Sequence, residues 1–272
     1  DGVVCEFQTK IVFEDAENRY EAIQAFCRKL SEKYAKKGEH PAQAAQMREK
    51  KAAAPSAREL AGYECRLDSL PLACAVQDGS LLSFDLTKTA STVILYDDIH
   101  MRAKDWVLSA IRRAYPDPIL LEDTAKTEQN VAAIDGIWAE MRRRGAAGQE
   151  SMKRGEPVPD FERLVVHVRH PSKITPTLPD VQRVQLVAMI QTLSPAYHIT
   201  FVIEENVSEM NVMLSGICLK TAVPFSQGIV LTTDISAYLA FADEVEFSGR
   251  AAAPRGFLVQ DGQATLGEMI ER

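Results

Sequence analysis

An α/β fold with a doubly wound, mostly parallel central sheet flanked by helices is predicted from three observations. Apolar β-rich runs alternate with helical stripes in the order β-α-β-α-β-α-β-α-β, and the connections are long enough to hold crossover helices. The chain has 272 residues, 46% of them hydrophobic and 25% charged, which is enough apolar material for a substantial core and ordinary for a globular domain. No stretch approaches the roughly 18 apolar residues of a membrane span.

The elements follow in chain order. Val3 to Phe13 alternates loosely as a strand, and Ala22, Phe26, Leu30 and Tyr34 repeat at i+4 on a helix from about Glu17 to Lys36. Gly38 to Pro55 is polar and Ala/Lys-rich and reads as a connector, so residues 1–55 form a small N-terminal β/α flank and 56–272 the main domain. Leu72 to Val76 and Leu81 to Leu86 flank Asp78-Gly79, a hairpin signal. Ser91 to Tyr115 then reads as strand, sharp turn and helix: Thr92 to Tyr96 is β-rich, and Val107, Ala110, Ile111 and Ala114 fall on one helical stripe, with the helix from about Lys104.

Pro118 to Leu121 is a short strand, and a helix from about Glu128 to Arg144 shows Val131, Ile134, Ile137, Trp138 and Met141 on one face, with Gly145 to Pro159 as a loop. Arg163 to Val168 is a buried strand by its near-continuous apolar character. Pro179 opens a helix to about Leu193. His198 to Ile203 is a strand, Val207 to Ser215 a short helix and Cys218 to Pro224 another strand. Ile235 to Ala242 reads as helix, Glu244 to Phe247 as extended, and Gly256 to Gln260 with Ala264 to Leu266 as a hairpin around Asp261-Gly262.

The net charge of −7 disfavours a sequence-independent grip on nucleic acid, which needs a basic groove to release counterions. Cys5, Cys27, Cys65, Cys74 and Cys218 are irregularly spaced without a CxxC, which favours reduced, buried thiols over a disulfide or zinc framework. The opening DGVVCEFQ has neither a basic n-region nor an apolar h-region, so it contains no secretory signal.

The turn after Tyr96 occupies the place of a phosphate-binding loop but lacks its chemistry. Asp97-Asp98-Ile99-His100-Met101-Arg102-Ala103-Lys104-Asp105 contains no glycine; its first two residues repel an anion, and β-branched Ile99 resists positive φ. Asp97, Asp98 and His100 read as an exposed acidic turn, the alternative being a metal or acid/base cluster. His167 and His170 read as a core histidine and a strand-end histidine, since residues three apart on a strand point to opposite faces. Glu204-Glu205-Asn206 ends a strand at the carboxyl edge of the sheet, where open α/β folds bind ligands. Arg142-Arg143-Arg144 reads as a solvated helix end that complements the helix dipole.

Several segments together resemble the FtsK/SpoIIIE class of P-loop motor ATPases, and specifically the third, C-terminal ATPase domain of the type VII secretion coupling proteins (EssC/EccC). LLSFDLTKTASTVILY resembles the family's hairpin and Walker A strand, FERLVVHVRHP its Walker B strand, and YHITFVIEENVSEM the strand that follows. ICLKTAVPFSQGIVLTTDISAYLAFAD and APRGFLVQDGQATLGEMI resemble its closing part. The resemblance covers about Ala61 to the C-terminus, and Val3 to Pro55 resembles the link between tandem ATPase domains.

By this resemblance the fold is RecA-like. Asp98, Ala103, Lys104 and Asp105 hold a degenerate Walker A position, Arg169 and His170 a degenerate Walker B position, and Asn206 either a γ-phosphate sensor position or the N-cap of the next helix. The departures imply a domain with no catalytic residues, no metal and no cofactor beyond weak ATP/Mg²⁺ binding: the Walker A glycines are lost, and a cation and an imidazole replace the acidic Walker B pair. The implied role is substrate recognition, interdomain regulation or assembly in the cytoplasmic domain of a cell-membrane protein. The implied partners are the preceding ATPase domain and WXG100-type secreted substrates, in a hexamer of the longer protein. Two rivals stand beside it: an active NTPase using Lys104 with Glu204 or Glu205, and an unrelated α/β enzyme with a small-molecule site at the sheet edge.

Overall fold

The computed structural model describes residues 63–192, 197–208, 227–233, 247, 249 and 251–271. The N-terminal strand, helix and connector expected over 1–55 lie outside them. So do the expected strand Cys218 to Pro224, the helix Ile235 to Ala242 and nearly all of the expected helix after Val207.

Nine strands of the described residues form one sheet in the order β2-β1-β9-β8-β7-β3-β6-β5-β4. They are β1 (Leu70–Ala75), β2 (Leu81–Phe84), β3 (Ser91–Tyr96), β4 (Ile119–Leu121), β5 (Leu164–Arg169), β6 (Ile199–Asn206), β7 (Gln227–Leu231), β8 (Arg255–Gln260) and β9 (Gln263–Met269). The helices are α1 (Met101–Ala114), α2 (Thr127–Arg154), the single turn α3 (Pro171–Ile174) and α4 (Asp180–Thr192).

The sheet is mixed, which corrects the mostly parallel sheet expected from sequence. Strands β7, β3, β6, β5 and β4 run parallel, whereas β8, β9, β1 and β2 are antiparallel to their neighbours. Short connections account for the β1–β2 and β8–β9 pairs, because two strands joined by a tight turn must pair antiparallel, while parallel partners need a crossover. Asp261 (φ 50) and Gly262 (φ 76) turn β8 into β9, and Gly79 (φ 75) lies in the turn between β1 and β2. β7 is a strand that the sequence reading did not isolate, although its Gly228-Ile229-Val230-Leu231 is an apolar run.

Alternating side chains of the buried strands feed two cores. Val93, Leu95, Val166, Val168, Phe201 and Ile203 pack with Ile134 and Ile137 of α2 and with Leu186, Met189 and Ile190 of α4. Ile94, Tyr96, Val165, Val202, Ile229 and Leu231 pack with Val107, Leu108, Ala110 and Ile111 of α1 on the other face. The stripe predicted for α1 is therefore its buried face, apart from half-buried Ala114.

Helix α2 runs ten residues past the predicted end at Arg144 and stops at Gly155, whose φ of 69 supplies the left-handed cap. Gly145 and Gly148 suggest a loop, but each costs a helix only about 1 kcal/mol, which burial along its length can offset. Hairpin packing depends on two facing glycines: Gly256 and Gly267 are register partners in β8 and β9. A Cβ on Gly256 would lie 2.4 Å from Leu231 Cδ2 and 3.0 Å from the Val230 carbonyl, and one on Gly267 would lie 2.7 Å from Ala73 Cβ.

Candidate functional site

The carboxyl ends of β3, β5, β6 and β7 meet at one edge of the sheet, where open α/β folds hold their ligands. Strand β3 leaves this edge through Asp97, which caps a 3-10 turn at 98–100 before α1 begins at Met101. Its Oδ1 accepts the Ile99 and His100 N–H groups, each at 3.1 Å, and receives His100 Nδ1 at 2.6 Å. A carboxylate only accepts, so this contact fixes the proton on Nδ1. Oδ2 accepts the Thr233 N–H at 3.1 Å, joining the end of β3 to the end of β7. Burial works against ionisation of Asp97, but the His100 bond, the Thr233 N–H and the His100 charge outweigh it and lower its pKa.

The exposed acidic turn expected at 97–100 is thus only half correct. Asp98 and Ile99 are exposed, whereas Asp97 is nearly buried and His100 is 0% exposed. Their chemistry is internal capping. No group of three or more His, Cys, Asp or Glu among the described residues is arranged to hold a metal.

The four residues expected at a Walker A position lie apart in function. Asp98 Oδ1 accepts from Asn206 Nδ2 at 2.8 Å. Ala103 lies on the buried face of α1, and Asp105 is exposed. Lys104 is itself only 5% exposed: its Nζ lies 5.0 Å over the Tyr96 ring and 3.0 Å from Asp105 Oδ1. Because α1 starts at Met101, three residues before the start expected near Lys104, Ala103 to Asp105 all belong to its first turns.

Arg169 and His170, expected at a Walker B position, each find a carboxylate on β6. Arg169 donates from Nε to Glu204 Oε1 and from Nη1 to Glu122 Oε2, both at 3.0 Å, and these bonds raise its pKa. His170 takes a left-handed conformation (φ 52) to start α3, with Nδ1 3.5 Å from Glu205 Oε1. Its pKa is raised, first by the close Glu205 carboxylate and then by the charges of Asp123 and Glu204, against burial.

Consecutive Glu204 and Glu205 point to opposite faces, as strand geometry requires, and both are 0% exposed. Glu204 Oε2 receives His167 Nε2 at 3.1 Å on the α1 side, while Glu205 Oε2 accepts the Ser172 N–H at 2.9 Å on the α3 side. His167 and His170 therefore serve different carboxylates, consistent with the opposite faces read from their spacing. Burial pushes the Glu204 pKa up, but His167, Arg169 and the Lys104 charge overcome it and hold it at about 2.

Asn206 makes one local and one long-range bond, and the helix it was expected to cap lies outside the described residues. Its Oδ1 accepts the Ser208 N–H at 2.9 Å, a turn-capping bond, while its amide ties β6 to Asp98. Arg142 and Arg143 are exposed as expected, but Arg144 is not part of a solvated helix end. It is 6% exposed, mid-helix in α2, and donates from Nη1 to the Tyr197 carbonyl at 2.7 Å and from Nε to Glu140 at 2.7 Å. The Phe161 ring, 5.2 Å from its guanidinium carbon, helps to cover it. Glu122 is the partner that sequence alone did not single out, since nothing in the linear order joins it to Arg169.

No protein-family model matches the sequence, and no curated protein is significantly similar to it. Solved structures do share the fold. The cytoplasmic domain of EssC superposes with a TM-score of 0.62 at 13% identity, over 80% of this chain and 47% of that one. The cytoplasmic domain of the Thermomonospora curvata type VII secretion ATPase EccC gives 0.52 at 12%, over 75% and 26%. ATPases 2 and 3 of the same EccC, in complex with a signal sequence peptide, give 0.52 at 11%, over 77% and 41%. The chain spans less than half the length of each, and at these identities the likeness is one of fold: the EssC/EccC cytoplasmic ATPase fold resembled by the sequence.

Proposed function

We propose that this chain is a catalytically degenerate ATPase domain of a type VII protein secretion motor, acting through substrate recognition, interdomain contact or assembly. One observation carries the reading: the backbone N–H groups at the turn after β3, which a nucleotide-binding relative would turn toward phosphate, are bonded to the chain's own Asp97 carboxylate. A polyphosphate approaching this turn would meet Asp97 and Asp98 as like charges and would find no glycine to let the backbone wrap it. The residues present do not fit ATP.

The second supporting feature is the fate of the neighbouring charges. Lys104, the one Walker A cation retained in sequence, is drawn over Tyr96 and toward Glu204, and Glu204 is already neutralised by His167 and Arg169. A Mg²⁺ ion needs free oxygen ligands at this edge, and Arg169 occupies the position from which one would come. The charges at the sheet edge stabilise the fold instead.

Within this reading the chain is the cytoplasmic domain of a membrane-anchored protein, and its partners are a preceding ATPase domain and WXG100-type substrates. Steady-state phosphate release from the chain with Mg-ATP tests it. We expect no release above background in the wild type and no change with Lys104→Ala. Turnover by the isolated chain that disappears on Lys104→Ala would instead establish the active-NTPase reading.

A further inference from the structure

The two buried carboxylates of β6 are balanced by cations of different kinds. Glu204 meets His167 and also Arg169, whose guanidinium stays charged at any pH at which the chain is folded. Glu205 has one cation within ion-pair reach among the described residues, His170, with Nδ1 3.5 Å from Oε1. An imidazole changes charge near neutral pH, so the balance of Glu205 is conditional on a proton.

The same two residues seat the single turn α3. The Ser172 N–H lies in the first turn, where no intrahelical acceptor exists, and it donates to Glu205 Oε2 at 2.9 Å. His170 enters α3 in a left-handed conformation (φ 52, ψ 62), which a non-glycine residue keeps only where its surroundings hold it. Glu205 Oε1, His170 Nδ1 and Ser172 Oγ are all buried, and none completes a hydrogen bond with a described residue. Three open polar atoms thus gather at one turn, where buried groups are normally paired. Among the described residues, His170 is faced by Glu204 and Glu205 of β6, by Asp123 after β4 and by the Tyr96 ring of β3, 6.4 Å away between centroids. Lys173 of α3 lies 3.8 Å from Asp123, and Arg169 at the end of β5 is held by Glu204 and Glu122.

We infer that His170 and Glu205 form a proton-operated latch on α3: the imidazolium holds the turn at residues 170–172 on β6, and loss of its proton to solvent releases that turn. A neutral imidazole can still donate one hydrogen bond, but it no longer balances a carboxylate that is 0% exposed. Glu205 then takes up a proton or turns toward water, and in both cases the Ser172 N–H loses its anionic acceptor. Ile174, 1% exposed in the core, anchors the far end of α3 and confines the movement to residues 170–172. The latch is closed at mildly acidic pH and open at mildly alkaline pH. It is independent of whether the chain binds nucleotide.

Two NMR measurements on the whole chain, between about pH 5.5 and about pH 9, test the latch. One is the ring titration of His170, assigned by its loss in His170→Asn; the other is the protection factor of the Ser172 amide, corrected for intrinsic exchange. Asparagine tolerates the left-handed backbone and carries no titrating proton. In the wild type the Ser172 factor should fall by about fivefold or more relative to core amides of β3, with its midpoint at the pKa of the ring. Glu205→Gln keeps an acceptor oxygen without the charge, and there the factor should change by less than about twofold over the same range. His170→Asn should be equally flat, at the low value of the alkaline wild type. A wild-type factor that stays flat while the ring titrates overturns the inference, and so does a ring that does not titrate in this range. A fall that survives in either folded variant overturns it as well. The wild-type comparison decides alone if a variant does not fold.

Discussion

Arg169 and Glu204 are register partners on β5 and β6, and the guanidinium Nε lies 3.0 Å from Glu204 Oε1. The pair crosses the sheet edge at which a nucleotide-binding relative would organise its metal. A buried carboxylate stripped of its cation is costly, whereas removing both charges is often neutral. Arg169→Met should therefore lower unfolding stability by about 2–4 kcal/mol, and adding Glu204→Gln should recover much of that loss. Urea unfolding of the single and double variants measures both; equal, additive losses would mean that the pair is not coupled.

Stability should fall on both sides of neutral pH. Glu204 has a folded pKa of about 2 against an ordinary 4.5, so its contribution is full above 4.5 and is lost as pH falls toward 2. The shift corresponds to about 3 kcal/mol, and Asp97, also lowered, acts in the same direction. His170 has the opposite sign: its raised pKa gives stability that is complete below 6.5 and declines as pH rises through the folded value. His170→Gln should flatten the alkaline limb of the melting temperature against pH and leave the acid limb in place.

The β8–β9 hairpin should tolerate no side chain at its two facing glycines. Gly256→Ala places a methyl against Leu231 and the Val230 carbonyl, and Gly267→Ala places one against Ala73, so each should cost about 2 kcal/mol or more. Gly136→Ala, mid-helix with nothing within 4 Å of the added carbon, should be neutral or stabilise by up to about 1 kcal/mol. Thermal unfolding distinguishes the sites by sign.

Asn206 joins Asp98 to the turn at Ser208, and Asn206→Ala removes both bonds from a position that is 4% exposed. The expected loss is about 1–2 kcal/mol. Asp98→Ala removes only the exposed partner and should cost less. Faster amide exchange at Ser208 in the Asn206 variant reports the broken cap directly.

Local pattern made the strands and helices legible; partners distant in sequence did not show. The apolar stripe of α1, the buried run of β5 and the Asp261-Gly262 turn follow from spacing and turn chemistry. The balance of parallel and antiparallel strands was misjudged because it depends on where the terminal hairpins dock: β1 pairs with β9, not with the β3 it precedes. At the candidate site, the residue types at 98, 104, 169 and 170 were legible in the sequence as departures from a phosphate-binding pattern. Their new partners, Asn206, Tyr96, Glu122 and Glu205, come from other elements. Burial of His100 and Arg144 was likewise hidden, because polar residues read as solvated until a paired carboxylate or carbonyl is brought to them.

The central claim is that Asp97 occupies the donors a phosphate would need. Isothermal calorimetry of the chain with ATP and Mg²⁺ tests it most directly, with Asp97→Gly as the companion variant. No binding heat tighter than a Kd of about 1 mM is expected for the wild type. A wild-type Kd below about 100 μM, lost on Lys104→Ala, would contradict it.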